Sequence, residues 1–276
     1  MVQNGKTQAT CSYDVNGNRT RLTYPTTGTV TKYTYNLANW VIRIRSVDDG
    51  TTLANYTYTY YADGNRKREA DIVNGTVTSY VYDDLGRLVQ ESETDGLTVA
   101  YTYDRQGNRT KMAVTGSETY TTTYAYDKNN RLTQEITNRG GIASTTVYTY
   151  DANGNLLQKS NPDGAVLYRY NGFNQLAAMA QGTEATGYAY NASGIRTAKH
   201  TENTDTYFLL DGGDVVAEYT DGEQTAHYVR GINLIRGLFG SLVRYYLYNA
   251  HGDVTVLTSG SGVLKKSYDY DAFGNE

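Results

Sequence analysis

Cysteine, proline and tryptophan are scarce in this chain of 276 residues, which has one Cys, two Pro and one Trp. The single cysteine, Cys11, excludes an internal disulfide framework and a zinc site built from cysteines. The most apolar stretch, residues 232–243, is shorter than the ~20 residues that a helix needs to cross a bilayer, so we expect no membrane span. There is no basic excess either: the net charge is −4 and the pI is near 5.5, which argues against a nucleic-acid partner.

Tyrosine and glycine are abundant, with 29 Tyr and 28 Gly beside only four Phe. Aromatic side chains suit the pleated surface of a sheet, and glycine supplies tight turns. Charged residues at 20% and hydrophobic residues at 39% are ordinary for a folded chain, so a disordered tail is excluded. The composition therefore predicts a folded chain that consists mainly of strands and turns.

A short motif recurs along the sequence. Tyr-Asp-x-x-Gly-Asn-Arg begins at Tyr13 and again at Tyr103, and looser copies separate these two and continue after them at intervals of 20 to 25 residues up to Tyr190. Regular self-similarity of this kind indicates a repeat architecture. The looser copies, including two late ones, begin at Tyr35, Tyr60, Tyr82, Tyr126, Tyr150, Tyr170, Tyr190, Tyr248 and Tyr270.

Each copy has the pattern of a β-hairpin. Before the motif, tyrosines alternate with other residues, as in Tyr120 to Tyr126, and a period of two is typical of a strand. Asp favours the first position of a type I turn and Gly its last; Asn, which tolerates a left-handed backbone, replaces this Gly at Asn39, Asn130 and Asn174. We assign a structural role in the repeat to Tyr13, Asp14, Gly17, Tyr82, Asp83, Gly86, Tyr103, Asp104, Gly107, Tyr126, Asp127, Tyr150, Asp151, Gly154, Tyr270, Asp271 and Gly274.

The fold class that follows is all-β. An isolated hairpin is marginally stable, so we expect the copies to pair side by side in a twisted, coiled ribbon. Nearly every copy sends a Tyr-x-Tyr pair to one side of the sheet. Stacking of these rings between repeats would hold the ribbon together. Alternatively, exposed rings would form a platform for sugars or for an unfolded polypeptide.

The spaced Tyr-Asp-x-x-Gly units over residues 10–200 resemble the YD repeats of Rhs proteins, teneurins and bacterial wall-associated proteins. The later elements, at residues 210–219, 228–231, 245–254 and 268–275, are similar to the first part of the Rhs repeat-associated core domain of bacterial members. We therefore predict a region of about nine YD repeats over residues 1–200 and a core-like region over residues 201–276 that is truncated at its C-terminal end.

The resemblance implies a function. It predicts a non-catalytic segment of a polymorphic toxin, whose β-shell encloses a C-terminal toxin domain of the same parent protein. The alternative is a surface adhesion module that binds carbohydrate. The parent protein is expected to be secreted or on the cell surface, and the chain to be a piece of it without a signal peptide. Because open sheet edges invite pairing, we also expect end-to-end self-association.

No catalytic, cofactor-binding or metal-binding residue is assigned. The segment Asp14-Val-Asn-Gly-Asn18 superficially resembles the start of a calcium loop, but that loop needs Gly and Glu where Arg19 and Pro25 stand. A nucleophile elbow, Gly-x-Ser-x-Gly, does not occur. The three histidines, at positions 200, 227 and 251, have no ligand-like spacing.

Overall fold

The computed structural model describes residues 2–3 and 5–275. These residues form 27 strands and no helix, so among them there is no helix that could cross a membrane. Successive strands pair antiparallel within each part of the chain, with tight turns between them. The predicted all-β fold of repeated hairpins is confirmed.

The chain divides into two compact units, one made of Met1–Gly86 with Ala226–Glu276 and the other of Arg87–Thr225. We call them unit 1 and unit 2. This division joins the first repeats to the last strands in one unit. The sequence analysis instead divided the chain by its motifs, into repeats over residues 1–200 and a core-like region after them. That division stays a prediction.

The first nine strands belong to unit 1, where β1 and β2 form a small separate sheet. They are β1 (Val2–Gln3), β2 (Lys6–Thr7), β3 (Thr10–Tyr13), β4 (Arg19–Thr23), β5 (Val30–Tyr35), β6 (Val41–Asp48), β7 (Thr51–Tyr60), β8 (Arg66–Asp71) and β9 (Thr76–Tyr82).

Unit 2 contains the next thirteen strands. They are β10 (Leu88–Glu93), β11 (Thr98–Tyr103), β12 (Arg109–Thr115), β13 (Tyr120–Tyr126), β14 (Leu132–Arg139), β15 (Ile142–Tyr150), β16 (Leu156–Asn161), β17 (Gly164–Tyr170), β18 (Leu176–Gln181), β19 (Glu184–Tyr190), β20 (Arg196–Thr201), β21 (Asp205–Asp211) and β22 (Asp214–Thr220).

The last five strands return to unit 1, apart from the first residues of β23. They are β23 (Glu223–Arg230), β24 (Leu234–Phe239), β25 (Leu242–Tyr248), β26 (Val254–Ser259) and β27 (Leu264–Ser267).

In each hairpin we call the strand before the motif turn the outgoing strand and the strand after it the return strand. A β-bulge recurs where the outgoing strand reaches the tyrosine of the motif. Thr102 pairs with Lys111, but the next residue, Tyr103, pairs with Arg109, so one residue of the return strand has no direct partner. The same shift occurs before Tyr35, Tyr60, Tyr126, Tyr150, Tyr170, Tyr190 and Tyr248. The bulge lies directly beside the turn of the hairpin.

The turn after each tyrosine is closed by both backbone and side chain. The Gly107 amide donates to the carbonyl of Asp104 at 3.2 Å, and the Asp104 amide donates to the carbonyl of Asn108 at 2.9 Å. One carboxylate oxygen of Asp104 accepts the amides of Gln106 and Asn108 at 2.9 and 2.8 Å. Gly107 has φ +91°, a conformation that glycine adopts without a steric cost.

Unit 1 contains a core to which both the early strands and the last strands contribute. Tyr24 lies 5.1 Å from Tyr245 between ring centroids, and its hydroxyl donates to the carbonyl of Tyr246 at 2.9 Å. In β25, Tyr245 and Leu247 are buried in this core, whereas Tyr246 and Tyr248 alternate with them. The strands β24 to β26 therefore pack on the early strands through side chains that alternate with their tyrosine pair. Buried apolar members of the core include Ala9, Leu22, Ile44, Ala54, Tyr56, Tyr58, Val229, Ile235 and Val256.

Thr258 allows a test of this core. It is fully buried in β26, and its hydroxyl has no hydrogen-bond partner among the described residues. Thr258→Val keeps the side-chain shape and removes the buried polar atom, so we expect the free energy of unfolding to rise by about 1–2 kcal/mol. Urea titration measures this change. Thr122→Val is the control: the Thr122 hydroxyl is bonded to that of Thr137 at 2.9 Å, and its removal should lower the free energy by about 1 kcal/mol. A loss of stability in Thr258→Val would contradict the assignment.

The turn carboxylates provide a second test. The side-chain amide of Asn108 donates to Asp104 at 2.9 Å and, with the backbone amides, holds the pKa of the Asp104 carboxyl below its ordinary value. Asn108→Ala is expected to raise that pKa, as measured by a carboxyl-carbon NMR titration. In Gln106→Ala the pKa should not change, because the backbone of Gln106 is the donor. An unchanged pKa in Asn108→Ala would contradict the role of the amide.

Candidate functional site: the tyrosine face

The sheet of unit 2 has two different sides. In β11, Val99 and Tyr101 are buried, whereas Ala100 and Thr102, which alternate with them, are partly or fully exposed. The in-register partner of Val99, Val114, is buried as well. We call the side that carries the Tyr-x-Tyr pairs the tyrosine face. It is the more covered side of the sheet in this region, and it is the surface that the sequence singled out as structural or ligand-binding.

The hydroxyl of the motif tyrosine connects one hairpin to the hairpin before it. Tyr103 donates to the carbonyl of Leu88 at 2.6 Å, and Leu88 is the first residue of β10. The same bond recurs with lengths of 2.6–3.0 Å and always ends on the first residue of the previous return strand. We call it the tyrosine latch. The other latches are Tyr35 to Arg19, Tyr60 to Val41, Tyr126 to Arg109, Tyr150 to Leu132, Tyr190 to Leu176, Tyr248 to Leu234 and Tyr270 to Val254.

An ordinary phenol, with a pKa of about 10, is already protonated at neutral pH, and burial raises the pKa of several tyrosines of this chain further. Burial raises the pKa of Tyr33 and of Tyr56 to about 12, and it raises the pKa of the latch residues Tyr35, Tyr126 and Tyr150 above the ordinary value. A protonated hydroxyl is a donor, which is what a latch to a carbonyl oxygen requires.

The rings contact cations more regularly than they contact one another. Arg87 lies 4.8 Å from the centroid of the Tyr103 ring, Arg131 lies 4.9 Å from that of Tyr150, and Arg109 lies 4.7 Å from that of Tyr124. Ring pairs do occur in unit 1, as between Trp40 and Tyr60 at 5.3 Å. The stacking expected from the sequence is thus replaced in several repeats by cation–π contacts. Others are Arg19 with Tyr33, Arg66 with Tyr58, Arg139 with Tyr120, Lys159 with Tyr148, Arg196 with Tyr188 and Lys266 with Tyr268.

Carboxylates on the tyrosine face were missed by the sequence analysis. Glu91, only 6% exposed, accepts a hydrogen bond from the hydroxyl of Tyr101. Burial and a hydrogen bond with Glu135 raise the pKa of Tyr148. The sequence feature that could have indicated these carboxylates is a Glu at an alternating strand position, opposite or diagonal to a tyrosine. This feature did not predict burial, because glutamate is usually exposed.

Neighbouring turns are joined by asparagine side chains where Asn replaces Gly. The amides of Asn153 and Asn155 donate to the side-chain oxygen of Asn174 at 3.1 and 2.9 Å. Asn16 and Asn18 bond to Asn39 in the same way, and Asn108 bonds to Asn130. The receiving residues have φ of 59–60°, so Asn serves both the backbone conformation and the link to the previous turn.

Arginine makes the link at the intervening turns. Arg87 donates to the carbonyl of Asp104 at 3.1 Å, and Arg131 donates to the carbonyl of Asp151 at 3.2 Å. From Arg87 to Asn174 the links therefore alternate between arginine and asparagine.

The predicted repeat residues occupy equivalent places in separate hairpins. Each tyrosine except Tyr270 ends an outgoing strand, each aspartate begins a turn, and each glycine has a positive φ of 74–91°. The structure does not bring them together in one site. The carboxylate of Asp14, in the segment that resembled the start of a calcium loop, accepts the side-chain amide of Asn18 and backbone amides of its own turn, and these bonds lower its pKa. The carboxylate of Asp151 is bonded in the same way, with Asn155 as the side-chain donor, and its pKa is lowered as well.

Metal ligands do not cluster among the described residues: no group of three or more His, Cys, Asp or Glu is arranged to hold an ion. His200 and His251 each contact one carboxylate, Asp205 at 2.7 Å and Asp253 at 3.0 Å. An open groove runs between two successive turns of unit 2, and its lining includes Asn153, Tyr168, Arg169, Tyr170 and Asn174.

Among solved structures, the chain is similar to the Photorhabdus luminescens Tc holotoxin pore, with 15% identity and a TM-score of 0.49 over 96% of this chain and 18% of that chain. It is also similar to the TcdB2–TccC3 complex, with 16% identity and the same TM-score.

Two curated relatives are the tRNA3(Ser)-specific nuclease WapA of Bacillus spizizenii and the tRNA nuclease WapA of Bacillus subtilis. They are 29% and 28% identical to this chain over 200 residues, which is 69% of the chain. The chain spans only 8% of the length of each relative.

The RHS Repeat family model matches residues 60–98, 82–115 and 150–183. These stretches contain five of the motifs described above, which begin at Tyr60, Tyr82, Tyr103, Tyr150 and Tyr170. The resemblance of the Tyr-Asp-x-x-Gly units to RHS repeats is thereby confirmed over these residues.

Proposed function

We propose that the chain is a non-catalytic structural segment of an Rhs-type toxin and that its sheet forms part of a shell around a C-terminal toxin domain of the same parent protein. The proposal rests on one observation: the polar groups on the tyrosine face and in the turns bond to other groups of the same sheet. Tyrosine hydroxyls hold carbonyls, aspartates hold turn amides, and arginines lie on rings. Such contacts hold the repeats of the sheet to one another, as a structural shell requires.

The relatives support a toxin context for the parent protein. Both WapA proteins are tRNA nucleases by name, and this chain matches only a small part of each. We therefore assign any nuclease or other toxic activity of the parent protein to a different segment, and we place the parent protein outside the cell or on its surface.

Carbohydrate binding in adhesion is the second candidate function, favoured by the groove in unit 2. The groove offers the rings of Tyr168 and Tyr170 beside the amides of Asn153 and Asn174. Rings with a few convergent polar groups are typical of small-ligand sites. The groove is open, however, and one amide of Asn153 is already bonded to Asn174, so we favour the structural function.

Self-association through the sheet edges is a further proposal for the partner of this chain. The last strand, β27, is exposed at all four residues and carries Lys265 and Lys266. Exposed edges pair with other chains, and lysines oppose such pairing. We expect association that increases with salt, measured by light scattering; a strict monomer over a wide concentration range would contradict it.

The shell function predicts that the latches protect the enclosed domain. In the full parent protein, Tyr103→Phe, Tyr126→Phe and Tyr150→Phe together remove three hydroxyls that bond to carbonyls of the preceding hairpins. Each lost bond should cost about 0.5–1.5 kcal/mol of stability. We expect proteolysis of the C-terminal domain to be slow in the parent protein and clearly faster in the triple variant.

Tyr207→Phe is the matched control, since this tyrosine is about half exposed and lies on the other side of the sheet, opposite Ala198. It should leave the proteolysis rate unchanged. The shell proposal would be overturned if the C-terminal domain were cut as fast in the unchanged parent protein as in the triple variant.

A glycan array separates the two candidate functions. The structural function predicts no saturable binding of this chain to any sugar. Saturable binding that is lost in Tyr168→Ala, with the hairpin still folded by circular dichroism, would instead favour adhesion through the groove.

A further inference from the structure

Three exposed cations lie directly opposite one another in neighbouring strands of unit 1. Arg21 of β4 is in register with Lys32 of β5, and Lys32 is in register with Arg45 of β6. Directly opposite residues of antiparallel strands have Cα atoms about 5 Å apart and project to the same side of the sheet. The three charges therefore form one row across the strands, which we call the basic ladder.

The basic ladder lies on the side of the sheet that faces away from the Tyr-x-Tyr pairs. In β7, Asn55 is opposite Arg45 and alternates with Tyr56. Two further exposed cations share the side of the ladder, Arg43 in β6 and Arg68 in β8. Within strands β4 to β8, all of which the structure describes, no aspartate or glutamate lies on this side.

The cations on this side form no ion pair with a carboxylate anywhere in the described part of the chain. The arginines of the set in β4 and β6 donate to neutral acceptors instead, and each such bond leaves other N–H donors of the guanidinium for a ligand. These bonds join Arg21 to Thr23 at 3.1 Å, Arg43 to Asn55 at 3.1 Å and Arg45 to Thr52 at 3.0 Å. Like charges directly opposite one another destabilise a sheet, so relief of that repulsion favours a bound anion.

The shape of this surface favours a linear anion over a small one. The three cations stand in a row of about 10 Å across three strands, and the backbone amides of the sheet are used in its own ladder bonds. A single phosphate would contact only part of this row. A chain of phosphates laid across the strands would meet each cation in turn.

The uncharged residues of the same side favour a polymer without aromatic bases or lipid tails. The tyrosines of β7 alternate with Thr57 and Thr59 and lie on the other side, so bases would lack the rings on which single-stranded nucleic acid stacks. The apolar pair in register beside the ladder, Val30 and Val47, is partly buried and offers little to insert into a bilayer. The hydroxyl of Thr34, which is exposed, can donate to a phosphate oxygen.

We propose that the basic ladder, with Arg43 and Arg68 beside it, binds a linear phosphate polymer that lies across β4 to β6. The class of ligand is a chain with an anionic phosphate in every unit and no aromatic base. Guanidinium groups bind phosphate oxygens through paired N–H donors, and Lys32 adds a point charge at the centre of the row. The net charge of −4 does not oppose this contact, because salt screens exposed charges beyond about 8 Å. The proposal does not rest on the shell function.

Binding of fluorescently labelled long-chain inorganic polyphosphate to the intact chain tests the proposal, with fluorescence anisotropy as the measurement. We expect saturable binding at about 50 mM salt that weakens about ten- to fiftyfold at about 150 mM salt, as for roughly three to five neutralised phosphates. Lys32→Gln should weaken binding about five- to tenfold at the lower salt concentration. The Lys32 side chain makes no hydrogen bond or ion pair with the described residues, so the variant should fold.

Lys111→Gln is the matched control. Lys111 is exposed on the corresponding side of β12, in register with Thr102 and Thr123, so the same charge is removed where no row of cations exists. It should change the affinity for polyphosphate by less than about twofold. Lys32→Arg keeps the charge in the ladder and should bind as tightly as the unchanged chain.

Two further probes distinguish a phosphate polymer from other anionic partners: single-stranded oligo-dT with the same number of phosphates, and vesicles that contain phosphatidylglycerol. Both should bind more weakly than polyphosphate. Binding of either probe as tight as that of polyphosphate would overturn the proposal. So would the absence of saturable polyphosphate binding, or an equal loss of affinity in Lys32→Gln and Lys111→Gln.

Discussion

The bond between a tyrosine hydroxyl and a backbone carbonyl of the preceding hairpin is the interaction on which the repeat architecture depends. A hairpin alone is marginally stable, and ladder hydrogen bonds join it to its neighbours without specifying which face is covered. The latch adds that specification, since the donor sits at the bulge and the acceptor is always the first residue of a return strand. The phenol serves as the donor of this bond because it is protonated at neutral pH.

Much of the fold could be predicted from the sequence because its determinants are local. Alternation of tyrosine and threonine indicates strands, and Asp, Gly and Asn at fixed spacing indicate turns, as at Asp104 and Asn130. The bulge, the latch and the alternating turn links could not be predicted. They depend on which atom of one hairpin meets which atom of the next, and a motif read within one repeat does not contain that information.

The core of unit 1 was beyond prediction for a different reason. It joins Tyr24 to Tyr245 across more than two hundred residues, and such pairs leave no periodic mark in a single sequence. Glu91 was missed since glutamate is ordinarily a surface residue. It is buried here because the hydroxyl of Tyr101 donates to its carboxylate.

The alternation of arginine and asparagine links between turns makes adjacent repeats unlike one another at their contact. A turn that ends in Asn108 or Asn155 meets a turn with Asn at the left-handed position, and a turn that ends in Arg131 donates to the aspartate carbonyl of the next turn. The unit that can be copied without creating a mismatch is thus two hairpins long. Between residues 87 and 174, insertion or deletion of one hairpin would leave one junction with the wrong pair of side chains, whereas a change by two hairpins would keep the pairs matched.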